Sequence, residues 1–133
     1  MSKVIGMYKI AAIAPGSQEV RDIMSRIYQE QPEYWPYGLN IEGHDSVYLI
    51  REKQSNTPAG FVGWQTDFKH EDGQLKKIGY YSIGILPEFR RKGFAKEAVA
   101  KIINLKSAGH DRVQAFIVKT NAPSIGLAKA LDV

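Results

Sequence analysis

Between Ile83 and Lys96 the chain reads Ile-Gly-Ile-Leu-Pro-Glu-Phe-Arg-Arg-Lys-Gly-Phe-Ala-Lys, an apolar segment that passes through a basic turn into a helix-forming one. The chemistry such a stretch can do is to hold a polyanion. The first turn of a helix leaves backbone N–H groups without intrahelical partners and carries partial positive charge, so a phosphate placed there is bound by amides and dipole together. Gly93 lets a phosphate approach the main chain and Ala95 keeps the next turn small, while Arg90, Arg91, Lys92 and Lys96 gather charge around the same point. The same residues would also make an ordinary solvated basic helix start.

The spacing narrows the choice. Arg90-Arg91-Lys92-Gly93-Phe94-Ala95 fits the pattern Gln/Arg-x-x-Gly-x-Gly/Ala, and Ile85-Leu86-Pro87 before it fits a strand ending in Val-x-Pro. Together they resemble the acyl-CoA-binding motif of the GNAT superfamily of N-acetyltransferases. The resemblance implies an α/β (α+β) fold, a mixed and mostly antiparallel sheet flanked by helices, with the fourth and fifth strands splayed apart. It implies acetyl-CoA as acyl donor and a primary amine, on a small molecule or a peptide, as acceptor. Carried over by position, backbone groups of Ile83, Gly84 and Ile85 would pair with the pantetheine arm. The pyrophosphate would sit on the amides of Arg91, Lys92, Gly93, Phe94, Ala95 and Lys96, with Arg90 beside them. Asn121-Ala122-Pro123-Ser124-Ile125-Gly126-Leu127 resembles the family's Asn-x-x-Ser-x-x-Leu element, in which Asn121 would help hold the cofactor arm or, equally, cap a helix.

The chain departs from the family pattern in its proton carriers. Ala128 stands where many members have a tyrosine acid, and Phe116 where some have a glutamate base. Such groups contribute about 10²–10⁴-fold, and positioning with oxyanion stabilisation supplies as much, so their absence slows the expected chemistry without excluding it. Glu33, Glu42, His70, Glu71 and Tyr81 are candidates for relaying the amine proton, and the sequence assigns none of them as catalytic. The segment Glu33-Tyr34-Trp35-Pro36-Tyr37 falls where the family builds its acceptor wall, and would equally serve to cover the sheet. The resemblance also implies two strands after the Asn-x-x-Ser helix, whereas this sequence stops at Val133. A truncated sheet is therefore expected, completed by a second copy of the chain or by another chain segment. Two classes of function stay open: an acetyltransferase, and a GNAT-like binding or structural module of weak or no activity.

Composition sets outer bounds. At 133 residues and 44% hydrophobic, the chain is expected to form one domain over residues 1–133. The absence of cysteine excludes a disulfide framework and a thiolate nucleophile. His44, His70 and His110 lack ligand spacing, so no metal site is expected. No apolar run approaches a membrane span and the first residues lack a signal-peptide core, so a cytoplasmic protein is expected. A net charge of +4 and a pI near 9.3 would suit nucleic acid, but no recognition motif accompanies the basic cluster, and a polyanionic cofactor accounts for the same charges.

The elements that must position these residues alternate. Residues 7–14 read as a strand stopped by Pro15-Gly16-Ser17, and Val20, Ile23, Met24 and Ile27 recur at helical spacing to about residue 29. Residues 46–52 and 59–65 predict a hairpin, 66–74 a polar loop, and 77–86 the strand before the basic turn. Ala95, Ala98, Val99, Ile102 and Ile103 share one face of the next helix, with Gly109 as its left-handed cap, and residues 112–118 predict the last strand. That strand would present a long apolar edge, a template for pairing with another chain.

Overall fold

The computed structural model describes residues 8–35, 44–90 and 94–133. Among these the order is β1 (Tyr8–Ile13), α1 (Gln18–Glu30), β2 (Ser46–Glu52), β3 (Pro58–Glu71), β4 (Gln74–Ile85), α2 (Phe94–Lys106), β5 (Arg112–Gln114) and α3 (Ala122–Leu131), with 3-10 turns at Pro32–Tyr34 and Pro87–Phe89. The strands form one sheet in the order β1-β2-β3-β4-β5. The first four are antiparallel neighbours and β5 joins β4 in parallel, the mixed and mostly antiparallel sheet that the resemblance implied.

Ser17 starts α1 by accepting from the Val20 amide, and the periodic Val20, Ile23, Met24 and Ile27 are all buried. Side chains alternate between the faces of a sheet, which fixes what each helix covers. A Cβ on Gly84 would lie 2.5 Å from the ring of Phe61, its partner on β3, and 2.8 Å from Ile27 Cδ1, so α1 packs on that face. Ile50, one position along β2 from the partner of Phe61, lines a small pocket with Ile10 and with Ala98 of α2. The two helices therefore cover opposite faces. Trp64, Phe61, Ile78 and Ile102 are among the largest fully buried side chains.

Residues 66–74 are not a loop. β3 continues to Glu71 and β4 begins at Gln74, paired without a break from Gly60↔Ile85 to Glu71↔Gln74. Asp72 and Gly73 both have positive φ, 51° and 77°, the backbone of a two-residue type I′ turn whose twist matches that of the strands it joins. The outer half of this hairpin is wet on both faces, with Phe68 and Leu75 exposed, so its composition carries no alternation signal.

The last strand is also shorter than expected. β5 pairs through Ile78↔Arg112, Gly79↔Val113 and Tyr80↔Gln114 and then leaves the sheet, while β4 runs on to Ile85. Residues 115–118 form no ladder, and Phe116 stacks on Tyr80 at 5.1 Å while remaining 84% exposed. The expected apolar edge is thus cut to three residues, whose first, Arg112, is held by two hydrogen bonds to Glu71. Short edge strands of this kind limit pairing between chains. α2 closes at Lys106 with the Ser107 amide on Ile103 O, so Gly109 (φ 78°) does not cap it and instead shapes the turn in which His110 N–H donates to Ser107 O.

Candidate functional site

Where β4 and β5 part, the fold opens a cleft of about 840 Å³. Ile83, Gly84 and Ile85 form one wall and Asn121, Pro123, Ser124 and Leu127 another; Arg90, Ala95 and Lys96 lie at the start of α2, and Gln31, Tyr34 and Trp35 stand on the side of α1. Seven of the eleven residues expected to hold the cofactor are brought together here: Ile83, Gly84, Ile85, Arg90, Ala95, Lys96 and Asn121. Phe94 is the first residue of α2. Arg91, Lys92 and Gly93 lie outside the described residues, as do Pro36, Tyr37 and Glu42.

The backbone of β4 sets what the cleft can bind. Leu86 N–H donates to Ala59 O at 2.8 Å, so by the alternation of an antiparallel ladder the polar groups of Gly84 and Ser82 also aim at β3. Those of Ile83 and Ile85 aim the other way, into the gap left by β5. The Ile85 carbonyl is occupied, since Arg90 Nε donates to it at 2.9 Å. Arg90 Nη1 also pairs with Glu30 at the end of α1, so one guanidinium ties together the end of β4, the end of α1 and the entrance to the cleft. Asn121 does cap α3, its Oδ1 accepting from the Ser124 amide, and it does so from the cleft wall.

The four proton-relay candidates among the described residues scatter. Glu71 is bound by Arg112 at the hairpin tip, and that guanidinium holds its carboxyl below the usual range. His70 is exposed on the same hairpin extension. Tyr81 is buried at 5% exposure with no hydrogen-bond partner for its hydroxyl among the described residues, and burial pushes its phenol up. Glu33 lies in the 3-10 turn beside Tyr34 and Trp35 of the cleft. Ala128 is buried and is not among the residues that line the cleft. His110 serves the fold: its Nδ1 faces Ala108 O, which fixes the proton there, and Nε2 then accepts from the Thr66 hydroxyl, itself the acceptor for Trp64 Nε1–H.

Sequence reasoning passed over His44 and Ser82. His44 Nε2 lies 3.2 Å from Ser82 Oγ, one residue along β4 from Ile83. Ser82 could have been found from its place beside the expected arm-binding residues. Nothing in the sequence signals that a histidine before β2 would reach it. Among the described residues no cluster could hold a metal ion, and no helix is long and apolar enough to cross a membrane.

The model of the Acetyltransferase (GNAT) family matches residues 17–132. Among solved structures, a mutant of the BH1408 protein from Bacillus halodurans is 12% identical with a TM-score of 0.71, over 94% of this chain and 92% of that one. An aminoglycoside acetyltransferase, meta-AAC0020, from an uncultured soil metagenomic sample is 11% identical with a TM-score of 0.68, over 98% and 91%. Arabidopsis thaliana NAA60, solved in complex with acetyl-CoA, is 16% identical with a TM-score of 0.66, over 94% and 83%. No curated protein matches the chain at a significant level. At these identities the likeness is one of fold.

Proposed function

The chain belongs to the GNAT acetyltransferase family, and from that premise we propose that it transfers an acetyl group from acetyl-CoA to a primary amine by direct attack on the thioester. The observation that carries this reading is the cleft opened where β4 outruns β5. Its donor set suits the cofactor. Ile83 offers a backbone N–H and C=O on the open side, to which an extended arm can pair as a strand would. Ile83, Ile85, Pro123 and Leu127 give the arm an apolar lining, and Asn121 a polar one. Arg90 and Lys96 place cations beside the start of α2, where we assign the pyrophosphate to the amides of Arg91, Lys92, Gly93, Phe94, Ala95 and Lys96. Gly84 contributes a surface with no side chain of its own to the wall.

When bound, acetyl-CoA supplies the activated acyl group, and the chain's part is to orient it and admit the amine. The amine, carried by a small molecule or a peptide, enters on the α1 side past Tyr34 and Trp35. A cytoplasmic place of action goes with that donor. Calorimetry on the wild type should show acetyl-CoA binding, and Gly93→Glu should abolish it by adding bulk and negative charge where phosphate must approach. Unchanged affinity in the variant would reject the cradle. Free-thiol release against a panel of primary amines then tests transfer, and binding without release for any amine would leave a cofactor-binding module.

A further inference from the structure

Ser82 and His44 sit on the α1 side of the sheet, one residue from the cleft. Ser82 shares that face with Gly84, and both Ser82 and His44 are half-buried. The imidazole has a built seat on β3: a Cβ on Gly63, the partner of Ser82, would lie 2.2 Å from His44 Cδ2, so any larger residue there would displace the ring. The ring meets Phe61 edge-on, centroids 6.3 Å apart and planes at 83°. Phe61 in turn meets Trp35 of the cleft at 6.4 Å.

Direction along β4 decides what this pair can reach. An arm anchored at the start of α2 runs back along β4, past Ile85 and then Ile83, because β4 leads into that turn. Its acyl end arrives at the level of Ser82, the next residue at about 3.3 Å per position. The donor comes from the α2 side and the amine from the α1 side, which is the face Ser82 presents. We propose that the Ser82–His44 pair takes the proton of the attacking amine, Ser82 Oγ touching the amine and His44 Nε2 receiving the proton; this rests on the acetyl-transfer reading above.

The step balances. The nitrogen lone pair forms the C–N bond at the thioester carbon, and the C–S bond breaks with its electrons left on sulfur. The amine proton passes to Ser82 Oγ as the Ser82 proton passes to Nε2, and the imidazolium then yields it to the thiolate. Such an imidazole works neutral, so the rate rises with pH through its pKa, ordinarily about 6.5. Among the described residues, the register puts Tyr80 and Lys76 of β4 and Asp67, Lys69 and Glu71 of β3 on the same face, with Tyr34 in the 3-10 turn on the α1 side and Asp45, whose Oδ2 accepts from the Thr66 amide, next to His44.

The test uses the whole chain with acetyl-CoA and three acceptors: spermidine, a peptide with a free N-terminus, and sisomicin. Thiol release is followed across pH for wild type and His44→Gln, beside calorimetric acetyl-CoA affinity. The expected result is a limb in the imidazole range of wild-type kcat/KM that is missing in His44→Gln, where only the limb of the acceptor's own ammonium remains, with kcat down about 10²-fold and Kd held within about two-fold. Gly63→Ala, which displaces the ring, should repeat the loss at unchanged affinity. An imidazole-range limb that persists in His44→Gln, or a Kd that rises in step with the lost rate, overturns the proposal. So does binding without turnover of any acceptor. Wild type that fails to bind acetyl-CoA overturns the acetyl-transfer reading as well. Should His44→Gln not fold, the His44 ring resonances in wild type decide: a shift on adding acetyl-CoA supports the pair, and unmoved resonances overturn it.

Discussion

Arg90 is the residue on which the cleft entrance turns, because its planar fork meets the Ile85 carbonyl and the Glu30 carboxylate at once. Arg90→Lys keeps the charge and loses that fork. Calorimetry should show acetyl-CoA bound about ten-fold more weakly, the cost of a mispositioned cation and a loosened strand end; unchanged affinity would separate Arg90 from the cofactor. Tyr81 makes the opposite case. Its buried hydroxyl meets no partner among the described residues, and leaving a polar group so costs about 1–3 kcal/mol, so Tyr81→Phe should raise stability by about 1 kcal/mol in urea titration. A destabilised variant would mean that the hydroxyl is satisfied. At this scale the sequence named most of the cleft, because glycine, cations and an Asn cap at a helix start are local signals. It named neither the Glu30 partner of Arg90 nor the His44 partner of Ser82, 60 and 38 positions away along the chain.

Among the elements, the β3–β4 hairpin depends most on a single local geometry. Gly73 holds φ at 77° with nothing within 4 Å of where its Cβ would be, so substitution there meets backbone strain and no clash. Gly73→Ala should cost about 1 kcal/mol, read as a lower urea midpoint, and Gly73→Val more. An unshifted midpoint would show that the turn does not set the register. The helices and β2 were legible because burial imprints a period on them, as Val20, Ile23, Met24 and Ile27 do on α1. The outer hairpin was not, since strands wet on both faces carry no such imprint, although Asp72-Gly73 was the signal that could have found it. The end of β5 was illegible for another reason. Ala115, Phe116, Ile117 and Val118 have strand composition, and only the divergence from β4 takes them out of the sheet.

For the molecule as a whole, the Glu71–Arg112 pair joins the hairpin tip to the start of β5, and the guanidinium lowers the Glu71 carboxyl pKa. A carboxyl whose folded pKa is depressed contributes stability that is present above the ordinary value of about 4.3 and lost as pH falls through the depressed one. The wild-type urea midpoint should therefore exceed that of Glu71→Gln at pH 7, and the gap, modest for a half-exposed pair, should close as pH falls below the ordinary carboxyl value and through the depressed one. A gap that survives at acid pH would mean that Glu71 acts by packing. The sheet's connectivity has a further consequence, which lies in time. β3 and β4 close across two residues, whereas β5 returns to β4 only after the whole α2 crossover and holds it by three pairs. Short loops close first, so the hairpin forms early and the β4–β5 ladder late. The cleft opens where that ladder ends, so it is expected to form late and to open early. Pulsed hydrogen exchange should find Phe61 and Val62 protected before the β5 amides that face β4, and bound acetyl-CoA should slow exchange most at the latter.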